Sequence, residues 1–432
     1  MKLISLEKNG LSIEKSLLLC FLGSKDTGKT MKQWIKRQVP PDLLPKVQTV
    51  IGSSKKLIFK TVQKVVHPSP KNTIDKVYIA IPSSAKQQAE EIKHRCGFYI
   101  PHLPVETVIM KDPKTLPSRL AFAHEPVLVI GEEQLQPSWI YSYRKGVFNL
   151  DYLLNPDEGY VWHQLINLVS DTIDNDITES KKRFVKRVKS LQQESLDKCY
   201  VFGTGPSLEK AINRDWSDGY RVVCNTIVRD QELWNHINPH FIVAGDTIYH
   251  FGFTQFAKAF RQDLAKRLDE SQAMFIYPAV FHNLVKREFK DFSDRLIPIP
   301  INSHNKRIHT DLTGHFYLPD LGNILPLVLL PVACTMSKKV GLFGFDGRAP
   351  DDKLFWRNSN KHTYLEYMPD LQKAHPSFFN HHLSKSDKNK YVKSVHGDIL
   401  DEKLIDAERD GWQFIMLHKS WTPTFQKRYI SK

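Results

Sequence analysis

The strand-like run Cys199-Tyr200-Val201-Phe202 leads into Gly203-Thr204-Gly205-Pro206-Ser207-Leu208 and then into a helical pattern from Glu209. Glycines let a ligand come close to the backbone, amides at a helix start attract phosphate, and Ser207 can cap the helix or donate its hydroxyl. Later apolar runs end in polar residues: Asn225 after Val223-Cys224, Asp246 after Ile242-Val243-Ala244-Gly245, and Asp346 after Phe343-Gly344-Phe345. In an open α/β sheet the carboxyl ends of parallel strands form the crevice that binds ligands. The spacing therefore predicts a nucleotide site made of one glycine loop and three strand ends. A tight strand-to-helix turn can also need glycine for backbone reasons alone, and that reading stands beside the first.

Two further groups could move protons. The segment HPSFFNHHLS holds His375, His381 and His382, and histidine titrates near working pH, where it can take a hydroxyl proton. The segment LLNPDEGYVW holds Asp157 and Glu158 ahead of Gly159. They could activate an acceptor, or simply be acids favoured at a helix start.

The motifs GTGPSL, VCN (Val223 to Asn225), NPHFIVAGD (Asn238 to Asp246) and VGLFGFDG (Val340 to Gly347) resemble, in this order, the group of the glycosyltransferase family forty-two sialyltransferases and the motility accessory factor proteins. The resemblance covers about Lys198 to Trp421. It implies that Gly203, Thr204, Gly205, Pro206, Ser207 and Asn225, with the turn Gly344-Phe345-Asp346, hold the nucleotide of a CMP-sugar. A family general base some thirty residues after that turn would fall among His375, His381 and His382. His375-Pro376 and Asp157-Glu158-Gly159 are similar to motifs of other bacterial sialyl- and Kdo-transferases. Asp246 departs from the sialyltransferases, which have asparagine there, and agrees with the accessory factor proteins. If transfer retains configuration, Asp246 is the expected nucleophile.

A rival motif is Gly23-Ser24-Lys25-Asp26-Thr27-Gly28-Lys29-Thr30, which satisfies the P-loop pattern after the apolar run Ser16 to Leu22. Its amides would wrap phosphates, with Lys29 on the outer ones and Thr30 on magnesium. The strand that would supply the metal carboxylate, Val127 to Ile130, is followed by Gly131 before Glu132-Glu133, an imperfect match.

Positioning these groups requires parallel sheets. Runs such as Val77 to Ile81, Val105 to Ile109 and Val127 to Ile130 alternate with helical segments such as Ser84 to His94, and the pattern restarts at Lys198. This predicts an α/β chain of two Rossmann-like domains in a GT-B-like or variant arrangement around a central cleft. The expected division is an acceptor-side domain over 1–173, a basic connector over 174–196, and a CMP-sugar domain over 197–432. The connector carries Lys181, Lys182, Arg183, Lys186, Arg187 and Lys189, which is either a solvated face or a contact for anionic lipid.

With 432 residues, 41% of them hydrophobic, and a formal charge of +14, the chain can bury real cores and attracts anionic partners. Cys20, Cys96, Cys199, Cys224 and Cys334 show no metal or redox spacing. The start lacks the order of a signal peptide, and the apolar stretch Leu321 to Cys334 is cut by Pro326 and Pro331 and falls short of the roughly 20 residues of a membrane helix. The expectation is a cytoplasmic enzyme, peripheral at most to the inner face of a membrane. It would move a sialic-acid-like or Kdo-like sugar from CMP to a glycan or lipid-linked glycan acceptor, with no metal or other cofactor. A P-loop phosphotransferase is the alternative; a nucleic-acid-binding protein is a further one, although no recognition motif for nucleic acid is seen.

Overall fold

The structure, a computed structural model, describes residues 74–111, 116–117, 120, 123–130, 146–348, 359–380 and 397–431. The P-loop-like segment Gly23 to Thr30 and the histidines His381 and His382 lie outside the described residues. The chain divides into two compact units, one of 1–73, 118–124 and 137–145 and the other of 74–117, 125–136 and 146–432. Every element named here belongs to the second.

The four strands β1 (Val77–Pro82), β2 (Val105–Met110), β3 (Val127–Val129) and β4 (Val147–Asn149) form a parallel sheet in the order β2-β1-β3-β4. The helix Lys86–Tyr99 joins β1 to β2 and buries Ala89, Ile92, Cys96 and Tyr99. Their spacing of three, four and three residues places them on one face, which is why this polar segment packs as a helix.

The chain then builds β5 (Lys198–Phe202), β6 (Tyr220–Cys224), β7 (Phe241–Val243), β8 (Met274–Pro278) and β9 (Leu296–Ile299) side by side. After a small parallel pair, β10 (Ile301–Asn302) and β11 (Leu318–Pro319), it returns with β12 (Lys339–Phe343) on the other side of β5 and ends the sheet with β13 (Gln413–Met416). All seven strands run parallel, in the order β13-β12-β5-β6-β7-β8-β9. β6 is buried throughout and β5 from Cys199 onward, as expected of strands covered on both faces. One core takes Phe202, Val223 and Ile242 together with Val77 and Ile79 of the smaller sheet and Ile92 of the helix that follows β1. The other takes Val201, Val222 and Val243.

The basic connector is a helix, Asp174–Gln192, that buries Ser180, Phe184, Val188 and Leu191. It is pinned at β9, where Ser180 Oγ donates to Pro298 O (3.3 Å) and Arg183 Nη2 to Leu296 O (3.1 Å). Lys182, Lys186 and Lys189 stay exposed. The apolar stretch after Leu321 is a π-helical turn, Leu325–Leu329, running into the helix Leu330–Met336, both buried. Among the described residues no helix is long and apolar enough to cross a membrane.

Candidate functional site

Between β5 and β12 the strand order reverses, so the loops that leave these two strands diverge and open a crevice. A cavity of about 390 Å³ lies there. Its wall takes Gly203, Thr204 and Gly205 after β5, Asn225 after β6, Asp246 after β7, and Gly344, Phe345 and Asp346 after β12. Asp157 lines it as well, whereas Pro206 and Ser207 continue the loop outside the lining.

The glycine loop is held differently from the expectation of amides open to phosphate. Gly203 N donates to Phe343 O and Gly205 N to Gly344 O, both at 2.8 Å, and Leu208 N donates to Gly205 O at 2.9 Å. Ser207 gives its amide to both oxygens of Asp346 (3.2 and 3.1 Å) and its hydroxyl to Oδ2 (2.8 Å). The glycines answer to this mutual approach. A Cβ on Gly203 would stand 2.7 Å from Gly344 O, one on Gly205 2.1 Å from Asp346 Oδ2, and one on Gly344, whose φ is +80°, 2.2 Å from Gly203 O. The close approach of the two turns thus accounts for glycine at Gly203 and Gly205, and the amides of Gly203, Gly205 and Ser207 are engaged within the protein.

His418 completes the clasp and is not among the residues to which the sequence points. Its Nδ1 donates to Lys419 O (2.7 Å), which leaves Nε2 to accept from Gly344 N (2.9 Å) and to face Ser207 Oγ (2.8 Å). Burial lowers its pKa, consistent with a neutral ring that accepts at Nε2. Only its position just past the end of β13 could have drawn attention to it, since MLHKS matches no motif.

Asp246 ends β7 and caps the short helix Thr247–His250 by accepting at Oδ1 from Ile248 N (3.0 Å) and Tyr249 N (3.3 Å). No described residue donates to Oδ2. Desolvation raises its pKa to about 6, opposed in part by those two amides and by the charge of His375. Asn225 adopts a left-handed backbone with φ 52°, and its Oδ1 is buried without a hydrogen-bond partner although the residue lines the cavity. The left-handed backbone and the orphaned acceptor are both costs that no described residue offsets.

Glu158 and His375 are placed differently from the expectation that they meet an acceptor. They are 2% and 1% exposed and are bonded to each other, His375 Nδ1 donating to Glu158 Oε1. Arg95 Nη1 donates to the same oxygen at 3.1 Å, and Trp162 Nε1 to Oε2 at 2.8 Å. Burial alone would raise the Glu158 pKa, but the charges of His375 and Arg95 outweigh it and hold the carboxyl well below the usual range. Glu158 and His375 are both buried, and neither is among the described residues that line the cavity. Asp157, the neighbour of Glu158, is the acid of the pair that reaches the cavity wall.

Charge in the cavity is uneven. Asp157, Asp246 and Asp346 face it, against Arg348 as the one lysine or arginine among its described lining residues. His250 also lines it, with Nδ1 donating to Asp246 O (3.1 Å) and a pKa lowered by burial to about 3. Ile324, Leu327, Leu400 and Phe425 make part of the wall apolar. Among the described residues no cluster of three or more His, Cys, Asp or Glu is arranged to hold a metal ion. No family model, curated protein or solved structure matches this chain.

Proposed function

We propose that the chain is a glycosyltransferase that takes a sialic-acid-like or Kdo-like sugar from a CMP-activated donor and passes it to a glycan or lipid-linked glycan. One observation carries the reading: residues from four separate sequence segments, the glycine loop, Asn225, Asp246 and the 344–346 turn, line a single cavity at the switch point of a parallel sheet. Cavities at such points are where α/β proteins hold nucleotides. In this reading the smaller sheet, through Asp157, belongs to the acceptor side of a GT-B-like arrangement.

Asp246 is the best-suited proton acceptor. Its Oδ1 is fixed by two backbone amides, its Oδ2 is left to the cavity, and a pKa of about 6 leaves it largely ionised yet basic enough to be useful at neutral pH. As the acceptor oxygen bonds to the anomeric carbon, its proton passes to Asp246 Oδ2. The bond from that carbon to the phosphate oxygen breaks, and its electron pair leaves with CMP. Should the product retain the donor's configuration, the same carboxylate acts as the nucleophile of a two-step exchange.

The test is a thermal-shift titration with CMP, CDP, UDP, GDP, and ATP with magnesium, since a ligand that binds only the folded state raises its apparent stability. Stabilisation by CMP that is lost in Asn225→Ala is expected. Stabilisation by ATP with magnesium alone, abolished by Lys29→Ala, would overturn the reading and move the active centre to the P-loop-like segment.

A further inference from the structure

An acceptor that gives up a hydroxyl proton to Asp246 must be held in one orientation while it does so. A pyranose has a face of C–H bonds and an edge of hydroxyls, and a tyrosine open to a cavity offers the matching pair, an apolar ring and a polar tip. Among the aromatic residues that line the cavity, Tyr249, Phe256, Phe345, Phe378 and Phe425 are buried or half-buried, whereas Tyr160 is 41% exposed. We propose that Tyr160 is the acceptor-binding residue of this site, its ring forming the platform on which the acceptor's pyranose lies; the assignment rests on the glycosyltransferase reading.

Tyr160 suits the task by place and by mounting. It stands in the first turn of the helix Glu158–Val169, where its amide donates to Asp157 O (3.0 Å). The preceding residue, Gly159, brings this turn against the helix that Asp246 caps: a Cβ on Gly159 would stand 3.3 Å from both Ile248 Cγ1 and Thr247 Oγ1. The platform is therefore carried beside the proposed proton acceptor. Its helix is anchored by buried Trp162, Leu165 and Ile166 and by Asn167, whose Nδ2 donates to Val280 O (3.0 Å). The Tyr160 ring rests on the buried ring of Phe281, with centroids 5.9 Å apart and planes tilted by 47°. Support from behind holds the exposed part of the ring before any ligand arrives, which keeps the ordering cost of binding low. Partial burial and then the charges of Asp246 and Asp157 push the phenol pKa up to about 12, so the hydroxyl is a neutral donor at working pH.

Saturation-transfer NMR on the full chain tests the assignment, in the wild type, Tyr160→Phe and Tyr160→Ala. The probes are CMP and the methyl glycosides of galactose, glucose, N-acetylglucosamine, N-acetylneuraminic acid and Kdo. In the wild type, at least one glycoside is expected to be saturated chiefly at the C–H protons of one ring face. Tyr160→Ala should weaken that glycoside roughly three- to ten-fold, with Tyr160→Phe close to the wild type and CMP binding unchanged throughout. A wild type that saturates no glycoside, a Tyr160→Ala variant that binds it as well, a loss in Tyr160→Phe equal to that in Tyr160→Ala, or a parallel loss of CMP overturns the assignment. CMP binding by the wild type in any of these cases leaves the nucleotide reading standing. A wild type that binds neither CMP nor glycoside removes both. Matching urea midpoints for the three proteins confirm that the variants are folded.

Discussion

Asp346 receives both donors of Ser207, the amide at 3.1 and 3.2 Å and the hydroxyl at 2.8 Å, so the anion seat at the start of the 206–213 turn is filled by the protein's own carboxylate. The interlocking of the turns after β5 and β12 follows from this pair. Gly205 is glycine because the carboxylate and Gly344 O leave no space above it.

Gly205→Ala should therefore destabilise the fold by about 1 to 3 kcal/mol, the usual cost of forcing atoms into a packed site. Urea denaturation measures it. Adding Asp346→Ala should restore only part of the loss, because Gly344 O would still lie 2.7 Å from the new Cβ. A single variant that unfolds at the wild-type midpoint would show that the two turns can part freely.

Asp246→Asn should abolish transfer while leaving CMP binding largely intact. Wild-type turnover should rise as pH passes upward through about 6, where the carboxyl ionises. Stability moves the other way. A carboxyl whose pKa is raised from 3.8 to about 6 on folding favours the fold below pH 3.8, and that contribution is lost as pH rises through about 6. The substituted asparagine would still cap the helix, so the variant should be the more stable protein at pH 8 and lose that advantage below pH 4. Unchanged turnover, or the opposite trend of stability with pH, would remove the carboxylate from this role.

Glu158→Gln addresses the buried ion network. The Glu158 pKa is lowered on folding, so its contribution to stability is complete above its unfolded value near 4.5 and is lost as pH falls through the lower folded value. Removing one partner of a buried pair costs roughly 3 to 5 kcal/mol, because the other charges stay buried and uncompensated. Denaturation curves at pH 7 and pH 3 should show that cost shrinking with acid. A difference between wild type and variant that does not change with pH would mean that the carboxyl is not ionised in the fold.

Much of the architecture could be read before any coordinates. Apolar runs such as Val77 to Ile81 and Val340 to Phe343 are short and continuous because their strands are covered on both faces, and the polar residues that end them, Asn225, Asp246 and Asp346, do meet in one cavity. What escaped the sequence was partnership across long separations. Ser207 lies 139 residues from Asp346, Glu158 lies 217 from His375, and Ser207 lies 211 from His418. No local pattern encodes such pairs. For that reason a phosphate-loop glycine and a glycine forced by a facing turn look alike in one dimension, and a catalytic acid looks like a buried ion-pair partner.

The position of β12 also bears on how the molecule is made. β12 pairs with β5 only after the chain over 203–338 has been laid down, and with it come the turn of Asp346 and Arg348 and one side of the cavity wall. Pairing across so long a loop is slow, so the emerging polypeptide can assemble β5 through β9 well before it has anywhere to put a ligand. Binding competence should thus lag behind sheet formation during refolding. Pulse-labelled hydrogen exchange would register that delay as protection at Val222 ahead of protection at Leu342.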